Sequence, residues 1–257
     1  MSQSAWVAGK LLSYEEAQLD SAGWPNGTGI FETIKTVDGQ PWALSRHMRR
    51  ALNSARGNDQ PFPNEDLIRS AVVETIAANP YLIGRLRLLF GVDGNLCVTH
   101  QEYCEIDHAA NLGVRQLTEE VSSPVEKRYP YIQNLQMLDE AKSSGFDDFI
   151  LVNRDGFIIE TAIANLVFKF DGDWITPPLS DGVLPGVMRA LLVEKNGVMV
   201  RQIQANRLNQ IESGFVVSSL KIAQPIGRIG DLALAISAES EQMRSSFAAT
   251  ALATSVG

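Results

Sequence analysis

The chain has 257 residues, 45% of them hydrophobic, and a formal net charge of −8 at pH 7, enough length for one large domain or two modest ones, each with its own core. The acidic balance, with no cluster of Lys and Arg on any predicted helix, leaves nothing to neutralise a phosphodiester backbone and excludes nucleic acid as a partner. No apolar run reaches bilayer length, and the first residues lack the charged start and apolar stretch of a signal peptide, so a cytoplasmic protein with no membrane partner is expected.

Residues 29–37 and the segment Gln40-Pro41-Trp42-Ala43-Leu44, joined by Asp38-Gly39, predict a β-hairpin, because Asp-Gly supplies the positive φ angles of a tight turn. A helix follows from about Ser45, which is suited to cap it, and a second spans 64–78 with Leu67, Ile68, Ala71 and Val72 as its apolar stripe. Residues 82–90 and 95–103 form another Asp-Gly hairpin, and a strand begins at Leu112. The polar stretch 118–124 reads as a place where few contacts cross. The expected division is therefore an N-terminal α/β domain over 1–117, a connector over 118–128 and a C-terminal domain over 129–257. That second half reads as a helix near 131–144, a hairpin meander over 149–186, a helix over 186–195, short strands around Met199 and Phe215, and an Ala-rich helix near 238–251. No internal repeat or heptad run is present.

Within the meander one acid, Glu160, stands among apolar residues. A carboxylate among buried strands must meet a positive partner or be neutralised, and the protonated nitrogen of a pyridine ring is one such partner. The alternative is an edge-strand acid facing water. The glycine-flanked turn from Gly182 to Gly186 opens a helix whose free N–H groups suit a phosphate. Together these features suggest pyridoxal phosphate and make the C-terminal half the cofactor-binding domain. Lys127, in Pro124-Val125-Glu126-Lys127-Arg128, lies beside the expected boundary, where an amine can form an imine with an aldehyde and move protons; a solvated surface lysine is the plain alternative.

Arg46, Arg49 and Arg50 share one helix, and a guanidinium there can grip a phosphate with paired hydrogen bonds, although spacing does not choose among them. Arg85 and Arg87 alternate with Leu86 and Leu88 and so project from one strand face, towards a substrate carboxylate or towards solvent. Ser218 and Ser219 end a strand where hydroxyls can complete a phosphate cradle or simply cap a turn. Gly27-Thr28-Gly29 lacks the pattern of a dinucleotide fingerprint. His47, His100 and His108 show no metal-ligand spacing, nor do Cys97 and Cys104, which read as reduced thiols, so no metal is expected.

Through Gly29-Ile-Phe-Glu-Thr-Ile-Lys, Arg46-His-Met-Arg-Arg, Lys127, Glu160-Thr-Ala-Ile-Ala-Asn-Leu, Thr176-Pro-Pro-Leu-Ser and Gly182-Val-Leu-Pro-Gly-Val-Met-Arg, the chain resembles the fold type IV, class IV aminotransferase-like, pyridoxal phosphate enzymes. The resemblance implies a two-domain α/β (α+β) fold with mixed sheets, a small N-terminal and a larger C-terminal domain, and a homodimer acting on a small-molecule amine. It implies Lys127 as the lysine bonded to pyridoxal 5'-phosphate, Glu160 as the partner of the ring nitrogen and Arg50 as the phosphate-gripping arginine. Cofactor contacts are implied at Asn165, Gly186, Val187, Met188, Ser218 and Ser219, and substrate contacts at Thr33, Arg87 and Tyr131. Met188 replaces a threonine usual in the aminotransferases, leaving only backbone donation there.

That replacement, the Ala164-Asn165-Leu166 and Ser218-Ser219-Leu220 stretches and the short length are more similar to the aminodeoxychorismate lyase branch, which releases pyruvate and 4-aminobenzoate, a folate precursor. Tyr131, where an aminotransferase often has a tyrosine, points instead to transamination of branched-chain or D-amino acids with a 2-oxo acid. A scaffold that keeps the fold without the chemistry is the third alternative.

Overall fold

A computed structural model describes residues 3–119 and 125–253 of the chain, and these fall into two compact units, 3–105 with 126–130, and 106–119 with 125 and 131–253. Part of the expected connector, residues 120–124, lies outside the described residues.

The first unit is a sheet backed by two helices. Its strands are β1 (Ser4–Val7), β2 (Lys10–Ser13), β3 (Gly29–Val37), β4 (Gln40–Pro41), β5 (Ile83–Gly91) and β6 (Leu96–Glu102), in the order β2-β1-β6-β5-β3-β4. Strand β8 (Arg128–Tyr129) pairs antiparallel with the start of β3, Gly29 opposite Tyr129. This pairing is why 126–130 belongs to the first unit rather than to the expected connector and C-terminal domain. The Asp38-Gly39 turn forms as expected, with φ of 49° and 76°.

Alternation along the strands separates two faces. Ile30, Ile34, Leu86, Leu88 and Val98 pack against Met48, Ala51 and Ala55 of α1 (Leu44–Gly57) and against Ile68, Ala71 and Val72 of α2 (Glu65–Ala78). The opposite face carries Phe31, Thr33 and Lys35 of β3, Arg85, Arg87 and Leu89 of β5, and Cys97, Thr99 and Gln101 of β6, with Thr33, Arg87 and Thr99 in one cross-strand row. The Asn64 side chain caps α2 by accepting from the Leu67 N–H at 2.8 Å. Ser45 does not cap α1. Trp42 N–H is tied to the Lys35 carbonyl, the helix begins immediately afterwards on the Ala43 carbonyl, and Ser45 lies inside it.

The second unit is a mixed sheet in the order β10-β9-β7-β15-β14-β11-β12-β13, with β16 on β15. Its strands are β7 (Ala110–Gln116), β9 (Asp148–Val152), β10 (Ile158–Thr161), β11 (Asn165–Phe170), β12 (Asp173–Thr176), β13 (Met199–Val200), β14 (Ser213–Val217), β15 (Gln224–Ile229) and β16 (Leu232–Ala233). Its helices are α3 (Ile132–Ser143), α4 (Val187–Lys195) and α5 (Ala238–Ala253). β7 runs parallel to both β9 and β15, which places 106–117 in this unit and not in the N-terminal one. The expected meander is broken after β10. The Thr161 N–H and hydroxyl both bond the Ala164 carbonyl, closing a tight turn, and the chain crosses to pair β11 with β14 and β12. Leu112, Ile150, Ile158, Leu166, Phe168, Val216 and Ile226 form the core. Among the described residues no helix is long and apolar enough to cross a membrane.

Gly29 carries the seam between β3 and β8. A Cβ there would meet the Phe90 carbonyl oxygen and, at 2.8 Å, the Tyr129 ring. Gly29→Ala is expected to lower unfolding stability by about 1–3 kcal/mol through overpacking, measured by urea denaturation; an unchanged midpoint would show that the seam yields freely.

Candidate functional site

In the first unit, Glu32 faces the helices from β3 at 1% exposure. His47 and Arg50, three residues apart on α1, share the helix face that meets it. Arg50 grips the carboxylate through Nε to Oε1 at 2.8 Å and Nη2 to Oε2 at 2.5 Å, and His47 Nδ1 lies 2.6 Å from Oε2. Burial pushes the Glu32 carboxyl up, but the Arg50 and His47 charges and hydrogen bonds outweigh it and lower its pKa to about 2. Burial drives the His47 pKa down, aided by the charges of Arg50 and Lys127 and opposed by Glu32. Of the arginines that sequence left open, Arg49 is exposed and Arg50 is the one fixed by a buried acid.

Lys127 is half-buried beside the same strand. Its carbonyl accepts from the Phe31 N–H at 2.9 Å, and its Nζ sits 4.6 Å from the centre of the Phe31 ring. Thr33 and Arg87 are directly paired across β3 and β5, and the Arg87 guanidinium lies 3.9 Å from the centre of the Trp24 ring. The first unit thus brings Lys127, Arg50, Thr33 and Arg87 onto β3 and its neighbours.

In the second unit, Glu160 lies where the β9–β10 register shifts. Its Oε2 accepts from Asn165 Nδ2 at 2.8 Å and from the Leu184 N–H at 3.2 Å. The Asn165 amide also donates to the Leu184 carbonyl at 3.1 Å. The side chain thereby ties β11 to the turn ahead of α4. Gly186, the N-cap of α4, leaves no room for a side chain, because a Cβ would run into Asn165 Oδ1. No side chain caps α4, so the first N–H groups of the helix, including those of Val187 and Met188, are left by the helix itself for an anion. The Met188 side chain is buried, with 4% exposure, so only its backbone can serve. Ser218 and Ser219 follow β14 in a turn in which Ser218 Oγ accepts from the Lys221 N–H and the Ser218 carbonyl from the Ile222 N–H. The Tyr131 hydroxyl donates to the Ala162 carbonyl at 3.4 Å. Lys127, Arg50, Thr33 and Arg87 belong to the first unit; Glu160, Asn165, Gly186, Val187, Met188, Ser218, Ser219 and Tyr131 belong to the second.

Sequence reasoning passed over Glu32. The signal was available, since Glu32 is a lone acid in Ile30-Phe31-Glu32-Thr33-Ile34 just as Glu160 is among its neighbours. It gave Asn165 only as a cofactor contact, whereas in the structure the Asn165 amide donates to Glu160 and to the Leu184 carbonyl.

The family described as amino-transferase class IV matches residues 29–229. A protein of Methanocaldococcus jannaschii, provisionally named a branched-chain-amino-acid aminotransferase, is 25% identical over 211 residues, covering 74% of this chain and 73% of that protein. A protein of Schizosaccharomyces pombe, provisionally named an aminodeoxychorismate lyase, is 29% identical over 178 residues, 66% of this chain and 75% of that protein. Among solved structures, a hypothetical aminotransferase of Mycobacterium tuberculosis in its PLP-bound form has the same fold, with a TM-score of 0.83 over 97% of this chain and 99% of that one at 20% identity.

Glu32 and His47 both hold protons less readily in the fold than in the unfolded chain, so unfolding takes up protons and acid favours it. Their contribution is complete above the ordinary histidine value of 6.5, begins to fall as the pH drops through it, and continues to fall from the ordinary carboxylate value of 4.5 to about 2. His47→Gln is expected to flatten the dependence of Tm on pH between 6.5 and 4.5. Thermal melts of both proteins across that range check it, and parallel curves would refute the assignment.

Proposed function

Because this chain belongs to the class IV aminotransferase family, we propose that it is a pyridoxal phosphate-dependent lyase converting 4-amino-4-deoxychorismate to 4-aminobenzoate and pyruvate, working as a homodimer in the cytoplasm. The observation that carries the choice of reaction is the buried apolar Met188 at the start of α4, together with the higher identity to the lyase-named relative than to the aminotransferase-named one, 29% against 25%.

The residues fit the cofactor. Gly186 cannot carry a side chain, α4 has no side-chain cap, and the Glu160 carboxylate is oriented by the Asn165 amide and the Leu184 N–H. Bound pyridoxal phosphate supplies an electron sink for the C–H bond that is broken. In this reading Glu160 holds the proton on the ring nitrogen, Asn165 keeps Glu160 aligned, and Arg50, Ser218, Ser219 and the Val187 and Met188 N–H groups hold the phosphate. Lys127, whose carbonyl accepts from the Phe31 N–H, takes the proton from the amine-bearing ring carbon of the substrate. The C–O bond to the enolpyruvyl group then breaks, the ring becomes aromatic, and the enol gains a proton to become pyruvate. Thr33 and Arg87 contact the substrate.

Transamination of branched-chain or D-amino acids is the second reading, supported by Tyr131, where an aminotransferase often has a tyrosine, and by the longer match to the aminotransferase-named relative.

Purified holoenzyme given 4-amino-4-deoxychorismate is expected to release pyruvate, followed with a coupled lactate dehydrogenase assay, and Lys127→Ala to slow release by about 10²–10⁴-fold or more. No pyruvate, with amino acids and 2-oxo acids cycling the cofactor absorbance, would establish the transaminase instead. Wild-type turnover by Lys127→Ala would reject the role of Lys127 in either reaction.

A further inference from the structure

Asp148 opens β9 in the second unit and is fully buried. Its Oδ1 accepts from the Phe149 N–H at 2.8 Å and from the Ala162 N–H at 3.1 Å. Ala162 lies in the tight turn between Thr161 and Ala164 that ends β10, so this acid fixes the chain two residues beyond Glu160. The other carboxylate oxygen, Oδ2, is buried without a hydrogen-bond partner among the described residues. An acid with one oxygen so placed is stabilised by a positive charge nearby.

That charge comes from the turn after β14. The Lys221 N–H donates to Ser218 Oγ at 3.1 Å and the Ile222 N–H to the Ser218 carbonyl at 2.8 Å. Ile222 has a φ of +57°, a left-handed conformation that a β-branched residue rarely adopts and that persists only where the surroundings enforce it. Its neighbour Lys221 is half-buried. Burial lowers the Lys221 pKa, and Asp148 is the foremost of the charges opposing that fall, ahead of Asp147, while Lys142 adds to it. Burial raises the Asp148 pKa, opposed by the neighbouring Thr161 hydroxyl, by the Phe149 and Ala162 N–H groups and by the Lys221 charge.

We infer that Asp148 is a positioning residue which, with Lys221, couples the strand end carrying Glu160 to the turn carrying Ser218 and Ser219. One oxygen of the carboxylate fixes Ala162, and its charge holds the ammonium two residues after Ser219. A change at Asp148 therefore reaches both the acid assigned to the ring nitrogen and the hydroxyls assigned to the phosphate. A change at Lys221 reaches chiefly the turn. The inference rests on those proposed cofactor contacts and not on which reaction follows.

The test uses purified holoenzyme. Phosphorus NMR reports on the bound phosphate and cofactor absorbance on the ring, while equilibrium dialysis against graded pyridoxal phosphate measures retention. Asp148→Asn keeps an acceptor for the Ala162 N–H and removes the charge. It is expected to shift both signals and to weaken retention about 10–100-fold, as loss of a group that orients a ligand's holder does. Lys221→Met is expected to shift the phosphorus signal, and Lys221→Arg to restore it. The double variant Asp148→Asn with Lys221→Met is expected to lose no more than Asp148→Asn alone, since the two residues act as a unit. A shift of only one signal in Asp148→Asn, an unmoved phosphorus signal in Lys221→Met, or additive losses in the double variant would each overturn the coupling. Ser218→Ala separates the two levels of the argument. If it shifts the phosphorus signal and Asp148→Asn does not, the coupling alone fails; if it shifts nothing, the phosphate contact fails and the coupling with it. Should Asp148→Asn not fold, Lys221→Met against Lys221→Arg decides.

Discussion

Glu32 stands on the core-facing side of β3 at 1% exposure, where an unmatched carboxylate is strongly unfavourable, so α1 must present its partners at one height along that strand. Arg50 and His47 meet that requirement from a single helix face. The consequence reaches beyond the pair. The next residue back, Phe31, bonds the Lys127 carbonyl through its N–H, so the helix carrying Arg50 and the segment carrying Lys127 are both referenced to adjacent residues of one strand. Removing Arg50 would leave the buried carboxylate without its guanidinium, which is far more damaging than losing a surface pair.

The second unit holds its acid differently. Glu160 is braced by an amide and a backbone N–H, neither of which carries charge. Hydrogen bonds of this kind orient the carboxylate within the fold. Glu32 has the opposite character, since the Arg50 guanidinium spends two donors on it. Of the two lone acids in otherwise apolar strand runs, Glu32 is gripped by a guanidinium, whereas Glu160 is oriented by an amide and a backbone N–H.

Much of this was legible in the sequence wherever a local signal had a local cause. The Asp38-Gly39 turn and the Asn64 cap rest on φ preferences and on one side-chain bond, and both appear in the structure. Glu160 was legible because a charge among strand residues is conspicuous at any register. What failed depended on pairing between distant segments. Nothing near 110–116 announces parallel partners at β9 and β15, and nothing near Arg128 announces that it adds a short strand to Gly29 and Ile30. Ser45 failed for a related reason, because the Trp42 bond to Lys35 decides where α1 starts.

Arg50 and Arg87 show how one side chain acquires two uses. Both are held in a fixed plane, one by a carboxylate and the other by an indole face. In Arg50 the fork is filled from within the fold, so its charge is balanced and its contribution to any further anion is chiefly the direction of its remaining donors. In Arg87 the fork is filled by nothing among the described residues, and a pKa of about 10 keeps the charge in place. An unbalanced buried cation weakens the fold that contains it, and a ligand that supplies the missing anion offsets that loss by mass action. Any anion balancing Arg87 would have to come from outside the described residues, whereas at Arg50 the stabilising partner is already part of the chain.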